Sequence, residues 1–277
     1  MMMRGILAVF SRNITNFFRD RMRVIFSLLM SLLFMFVFSF AMKGAVPGMN
    51  KPLDYLAAGV IIMTVFQQAL NNSTDILNDL SSGFMKEIIV SPVSRWQIAV
   101  GQICSSTAIA CIQGIIILAV SMLLGLRISI LSAFAMAGIM IIAGLTFASF
   151  GLFLATVSRN SSAFQILTNI IVMPLSFLSG AYIPVTVMPS FLNGIIILNP
   201  LTWITALFRS VALGLHGMPA AALVKEGMAF TFHGHILTPA AGFFFVLLFG
   251  LVFFFLCVKK FGSADFSSVK AVFKHRH

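Results

Sequence analysis

The chain has 277 residues, 60% of them hydrophobic and only 9% charged, with a mean hydropathy of +1.05. Those values exclude a soluble domain of ordinary composition and indicate a polytopic membrane protein. A formal net charge of +11 invites a nucleic-acid reading, but the basic residues track the ends of the apolar runs, as topology signals do, and are not interleaved with aromatics.

Lipid is as apolar as a protein core, so the backbone must be satisfied inside helices, and the strand-type alternation of a barrel is absent. Residues 4–22 place Ile6, Leu7, Phe10, Ile14, Phe17 and Phe18 at helical spacing, with Arg4, Arg12, Asn13, Asn16, Arg19 and Arg21 filling the other side. The pattern predicts an amphipathic helix lying at the membrane interface, polar face to the headgroups. Met1-Met2-Met3-Arg4 precedes no short apolar core with a cleavage site, so insertion is expected to begin at the first span.

Six spans are predicted near residues 24–42, 55–70, 98–124, 128–157, 164–182 and 239–258, from runs approaching or exceeding the roughly 20 residues a bilayer requires. The polar turn Asn71-Asn72-Ser73-Thr74 can extend the second, and a tight connection around Arg127 makes the third and fourth antiparallel neighbours. Between spans two and three lies a polar island, residues 83–95. It starts at Gly83, runs for about two helical turns with Phe84, Ile88 and Val90 among charged neighbours, and stops at Ser91-Pro92, where proline cannot continue a helix. Such a segment has to face water or a partner.

Residues 189–215 are too broken to cross. The stretch 191–198 is short and ends at Asn199-Pro200, and 201–215 is short and carries Arg209, so two half-length helices entering and leaving one face are expected. Charge agrees with this count. Six spans leave Arg4, Arg12, Arg19, Arg21, Arg23, Lys86, Arg95, Arg159 and the basic tail at 259–277 inside, against Lys43, Lys51, Arg127, Arg209 and Lys225 outside; a seventh span would export the tail. Both termini are therefore expected in the cytoplasm, and the chain reads as a single domain.

Nothing in the sequence makes a catalytic constellation, and no cofactor or metal is expected on this chain. Asp75, Asp79 and Glu87 sit at or beyond the end of span two, where interfacial charges and caps belong, and Asp and Glu total only 7. His233-Gly234-His235 lacks a third ligand at metal-site spacing, and Cys104, Cys111 and Cys257 lie in apolar runs without a metal or disulfide pattern. Gln67, Gln68, Gln102, Gln113 and Asn169 are polar groups inside apolar runs; interhelical hydrogen bonds account for them first, a substrate path through Gln67, Gln68, Gln113 and Asn169 second. There is no Gly-x-x-x-x-Gly-Lys-Ser/Thr loop, so nucleotide energy has to come from another polypeptide.

Four features together resemble the type-2 membrane subunits of ATP-binding-cassette transporters, in particular the daunorubicin-resistance-like exporter permeases. Tyr55-Leu56-Ala57-Ala58-Gly59-Val60 is similar to the opening of that family's second span. Asp79, Gly83-Phe84-Met85-Lys86-Glu87 and Ser91-Pro92-Val93-Ser94-Arg95 resemble its coupling segment, although Leu80-Ser81-Ser82 replaces a charged pair that often follows the aspartate. Leu178-Ser179-Gly180-Ala181-Tyr182-Ile183-Pro184 with Met188-Pro189 resembles the exit of its fifth span, and Asn199-Pro200-Leu201-Thr202-Trp203 with Leu207-Phe208-Arg209 its external re-entrant hairpin.

The resemblance implies an all-α integral membrane protein of six spans with an N-terminal interfacial helix, paired with a second permease subunit, alike or related, and with separate ATPase subunits that bind ATP and Mg. It implies that Asp79, Gly83, Phe84, Lys86, Glu87, Ile88, Ser91, Pro92 and Arg95 form the ATPase-coupling surface, Phe84 and Ile88 as apolar anchors, Lys86 and Glu87 setting register. Arg209 is expected to satisfy helix-end carbonyls or an external headgroup. The implied function is export of a hydrophobic or amphipathic drug, peptide or lipid across the plasma membrane, with a lipid-linked glycan as the alternative cargo. A secondary transporter, the reading from another class, needs midplane ionisable residues or two repeated halves, which are not evident; a membrane-embedded enzyme needs clustered His, Asp or Glu.

Overall fold

The computed structural model describes residues 2–45, 52–81, 94–215, 217–232 and 235–263. Asp20 breaks the first long helical stretch in two. Its carboxylate accepts from the backbone N–H of Arg23 at 3.1 Å, ending α1 (Met2–Arg19) and capping α2 (Arg21–Ala45). The expected interfacial helix therefore stops three residues early, because an N-cap inside 4–22 starts a second helix.

The rest follows in chain order as α3 (Pro52–Asn71), α4 (Thr74–Ser81), α5 (Arg95–Leu123), α6 (Ile130–Val157) and α7 (Ser161–Leu178). After two short 3-10 turns come α8 (Asn193–Leu198), α9 (Pro200–Ala212), α10 (Ala220–Lys225), a hairpin of β1 (Phe230–Phe232) and β2 (His235–Leu237), and α11 (Pro239–Ser263). The hairpin is absent from the sequence reading: alternation over three residues is too short to register as a strand. Six stretches among the described residues are long and apolar enough to cross a membrane: Arg21–Phe40, Leu53–Asp79, Arg95–Leu123, Ile130–Val157, Ser161–Leu178 and Pro239–Lys260. The second runs on through the 71–74 turn, as its sequence allows.

Contacts along the helices fix their directions. Arg23 meets Asn72 and Ser31 meets Thr64, so α2 and α3 are antiparallel; Gln102 meets Asn72 while Gly114 lies against Val65, so α3 and α5 are antiparallel too. Phe66 packs edge-to-face on Phe147 while Leu70 lies against Gly151, and Phe150 packs on Phe253 while Thr146 lies against Gly250, which runs α3, α6 and α11 parallel. The span containing α3 is 83% buried, against 11% for α2 and 17% for α7, so α3 is the axis around which α2, α5, α6 and α9 are arranged.

Helices α8 and α9 bend by 89° at Asn199-Pro200. The stretch from the end of α7 to the start of α11 leaves and returns at one end of the bundle: Ala181 reaches Arg209, and Gly242, in the first turns of α11, sits against Trp203 of α9. A Cβ at Gly242 would overlap the Trp203 ring, whereas one at Gly138, on an open face of α6, meets nothing within 4 Å. Close helix approach through small residues is how packing is gained where lipid removes the hydrophobic drive. Gly242→Ala is expected to destabilise the detergent-solubilised protein by about 1–3 kcal/mol through overpacking, read as a lower unfolding temperature, while Gly138→Ala leaves that temperature equal or higher.

Candidate functional site

At one end of the bundle α1 lies against the first turns of α5. Its protein-facing positions are Gly5, Asn13 and Phe17, all buried, while Leu7 and Phe18 stay exposed. The helix approaches over Gly101, where an added Cβ would come within 2.9 Å of the Val9 Cβ. Asn13, expected from the pattern to face headgroups, is 4% exposed; the reason is that α5 presents it with polar partners that water would otherwise supply.

Those partners form one continuous chain. The Arg12 guanidinium pairs with the Asp79 carboxylate at 2.5 Å and donates to the Asn13 side-chain oxygen at 2.9 Å. Asn13 Nδ2 donates to Gln102 Oε1 at 2.6 Å and Ser105 Oγ at 2.8 Å, and Gln102 Nε2 donates to the Asn72 carbonyl at 2.8 Å. Arg23 then donates to the Asn72 side-chain oxygen at 2.7 Å and pairs with Asp75 at 3.1 Å. Both ends of the chain, Asp79 and Asp75, lie on α4, so the network closes through α1, α5, the 71–74 turn and α2. Ser161 at the start of α7 adds a bond to Asn78 at 2.8 Å.

This closed network brackets the polar island. Asp79 lies just before it, and Arg95, its last residue, opens α5, with the Gln97 side chain accepting from the Ser94 backbone N–H at 3.0 Å. Gly83, Phe84, Lys86, Glu87, Ile88, Ser91 and Pro92 lie outside the described residues, as does His233-Gly234. Neither Arg12 nor Asn13 belongs to the sequence-predicted coupling surface. Their signal was available only as members of the polar side of an amphipathic helix.

At the opposite end the carbonyls that terminate α7 have no intrahelical partner, and α9 supplies side-chain donors in register. Asn199 caps α9 by accepting from the Leu201 N–H at 2.9 Å and donates its Nδ2 to the Leu175 carbonyl at 2.8 Å; Thr202 donates to Leu178 O at 3.3 Å. Arg209, 1% exposed, donates to the carbonyls of Gly180 and Ala181 at 3.1 Å and to that of Tyr55 at 3.2 Å, with its guanidinium carbon 3.5 Å from the centre of the Tyr55 ring. A Cβ at Gly59 would lie 2.9 Å from the guanidinium and overlap the Ala181 carbonyl. The tyrosine and glycine of the 55–59 stretch are thus the seat of one buried cation. Tyr182 completes this end by stacking on Phe38 and Phe34, and burial pushes its phenol up to about 12.

Residues 4–213 match the ABC-2 type transporter family. The chain belongs to this family. Similar proteins include ycf38 of Cyanophora paradoxa, named as a transport permease, 29% identical over 159 residues, which cover 56% of this chain and 54% of that one. The "probable multidrug ABC transporter permease YbhR" of Escherichia coli K12 is 25% identical over 59% of this chain and 46% of its own length. The "inner membrane transport permease YadH" of the same strain is 23% identical over 60% and 65%. The chain spans about half the length of the first two relatives.

Within this ABC-2 family chain, the residues named for a substrate path differ in exposure. Gln68 is buried and Gln67 half-buried on α3, Asn169 is exposed on α7, and Gln113 is wholly buried in α5 with neither amide atom bonded among the described residues. Gln102, by contrast, makes the interhelical bonds expected of it. Of the cysteines, Cys257 is buried and Cys104 and Cys111 are half-buried. Among the described residues no three His, Cys, Asp or Glu side chains gather to hold a metal.

Burial ranks the members of the α1 network. Asn13→Ala strands the Gln102 oxygen in a buried site and is expected to cost about 2 kcal/mol. The Arg12–Asp79 pair, with side chains 24% and 20% exposed, is expected to show a coupling of about 0.5–1 kcal/mol in a double-mutant cycle. Thermal unfolding of the single and double variants in detergent measures both.

Proposed function

We propose that this chain is the membrane-spanning permease subunit of an ATP-driven exporter, and that energy enters through residues 83–95. The observation that carries the reading is the closed polar network around that segment. Helix α4 leads into it and α5 leads out, and both are tied to the same pair of residues, Arg12 and Asn13 of α1. A force applied between them therefore moves α1, α4 and α5 as one body, and with them the buried axis α3.

ATP and Mg belong to a separate ATPase subunit in this reading, since the sequence holds no P-loop. Closure of an ATPase pair on residues 83–95 of two permease subunits tilts the attached spans and switches the path between them from inward to outward access. The switch requires ATP to stabilise one state over the other, since a ligand with equal affinity for both shifts nothing. The two permease subunits are alike or closely related, and the exposed α2 and α7, each under a fifth buried, supply apolar surface for lipid or for the second subunit. The basic residues Arg12, Arg19, Arg21, Arg23 and Arg95 gather at the α1 end, which supports placing that end, both termini and the 259–277 tail on the cytoplasmic side of the plasma membrane.

The cargo is a hydrophobic or amphipathic drug, peptide or lipid. Support comes from the apolar character of the spans and from the similarity to YbhR, named as a "probable multidrug ABC transporter permease". A lipid-linked glycan is the second reading; it needs a wide path with polar lining, for which the unbonded amide of Gln113 is the supporting observation.

The experiment is a double substitution on the segment itself. Phe84→Ala with Glu87→Ala is expected to abolish co-purification with the ATPase subunit and transport-coupled ATP hydrolysis, while the permease still inserts and elutes as a single species. Full retention of both activities by the folded variant contradicts the assignment of the docking segment.

A further inference from the structure

The spans do not all present the same chemistry to their surroundings. From Ile25 to Phe40 every exposed position of α2 is apolar, and the same holds for the exposed positions of α6 and for those of α11 from Pro239 to Val258. Helix α7 differs. Beside Ile166, Ile170 and Met173 it exposes Ser162, Gln165 and Asn169, and neither the Gln165 nor the Asn169 amide makes a hydrogen bond among the described residues.

Depth makes Asn169 the costly one. It follows Ser161, the first residue of α7, by just over two turns, about 12 Å along the axis, which places it near the middle of a hydrocarbon core about 30 Å thick. Water is absent there, so an amide on an outer face has to be bonded by something other than this chain. Lipid tails offer neither donor nor acceptor, whereas a second amide offers both. Ser162, Ile166, Asn169 and Met173 recur at steps of four, three and four residues, the spacing of a seam between two helices packed side by side. A single Asn in such a seam fixes its register, because any other alignment strands the amide among apolar side chains. Two copies related by a two-fold axis along the membrane normal bring the same residue to the same depth, so Asn169 meets itself.

We propose that α7 is the face on which a second copy of this chain packs, with the two Asn169 side chains exchanging hydrogen bonds across the two-fold axis and α2 facing lipid. The proposal rests on the two-subunit reading given above, and adds to it the identity of the partner, the helix that meets it and the residue that sets the register.

The test is cysteine crosslinking of the full chain in membranes of cells that also express its ATPase subunit, with the native chain as the blank for Cys104, Cys111 and Cys257. Asn169→Cys and Met173→Cys are expected to give a disulfide-linked dimer on oxidation, whereas Leu29→Cys, on the exposed face of α2, gives none. In the Met173→Cys chain, Asn169→Leu is expected to lower the crosslinked fraction by roughly threefold to tenfold, the loss of one interhelical polar pair. Asn169→Gln, which keeps the amide, restores most of it. A side chain that only faced lipid would gain from the change to Leu, so the direction of the effect separates the two cases. If the Asn169→Leu chain fails to insert, the direct crosslink of Asn169→Cys carries the test. Photobleaching steps of the fluorescently tagged chain, counted in the same membranes, separate the two ways of failing. Single steps overturn the two-subunit reading and the pairing with it. Two steps overturn the pairing alone if crosslinks form through Leu29→Cys in place of α7, if Asn169→Cys reacts with a membrane-impermeant thiol reagent and does not crosslink, or if Asn169→Leu leaves the yield unmoved.

Discussion

A charge or amide removed from water has to find its partners in the protein, and in a chain this apolar there are few to find. The closed network from Asp79 through Arg12, Asn13, Gln102, Asn72 and Arg23 to Asp75 meets that requirement by joining four helices in one circuit. Since every member is bonded to the next, no helix can shift alone without stranding a polar group on its neighbour. Helices α1, α2, α4 and α5 therefore behave as a unit at this end, and α3, which continues into α4 through the 71–74 turn, is carried with them.

The opposite end solves the same problem differently. There the unsatisfied groups are backbone carbonyls released where α7 ends, and α9 brings a row of side-chain donors to them: Asn199, Thr202 and Arg209. Three carbonyls and a tyrosine ring surround the Arg209 charge. This ties the 89° bend of α8 and α9 to the start of α3 and the turn after α7. Motion imposed at the α1 end would reach this knot along α3, the most buried span of the six.

Much of the architecture was legible in the sequence because bilayer thickness makes span length a direct signal. All six expected spans begin or end within a few residues of helices α2, α3, α5, α6, α7 and α11, and Asn199-Pro200 marked the bend. Boundaries slipped where a local cap outweighed hydropathy: Asp20 restarts the chain at Arg21, and α3 starts at Pro52 with Asp54 in its first turn, as the helix dipole favours. The networks were not legible. Arg12 and Asp79 are 67 residues apart and Asn13 and Gln102 are 89 apart, so periodicity reports which residues share a helix face and not what that face meets. Periodicity also assigned Asn13 to the headgroups, because a helical pattern cannot tell a polar protein neighbour from water. Arg209 stood out as a lone cation, and its partners became visible only when Tyr55, Gly180 and Ala181 were brought beside it.

The account rests on the segment between α4 and α5 being the place where an ATPase touches this permease. A photoreactive amino acid at Ile88 in the assembled transporter tests that most directly. The account predicts a covalent adduct with the ATPase subunit, changed in yield by ATP, and no reaction of a cysteine at the same position with a membrane-impermeant reagent applied outside intact cells. Adducts confined to lipid or to the permease itself, or labelling of that cysteine from outside, would contradict it.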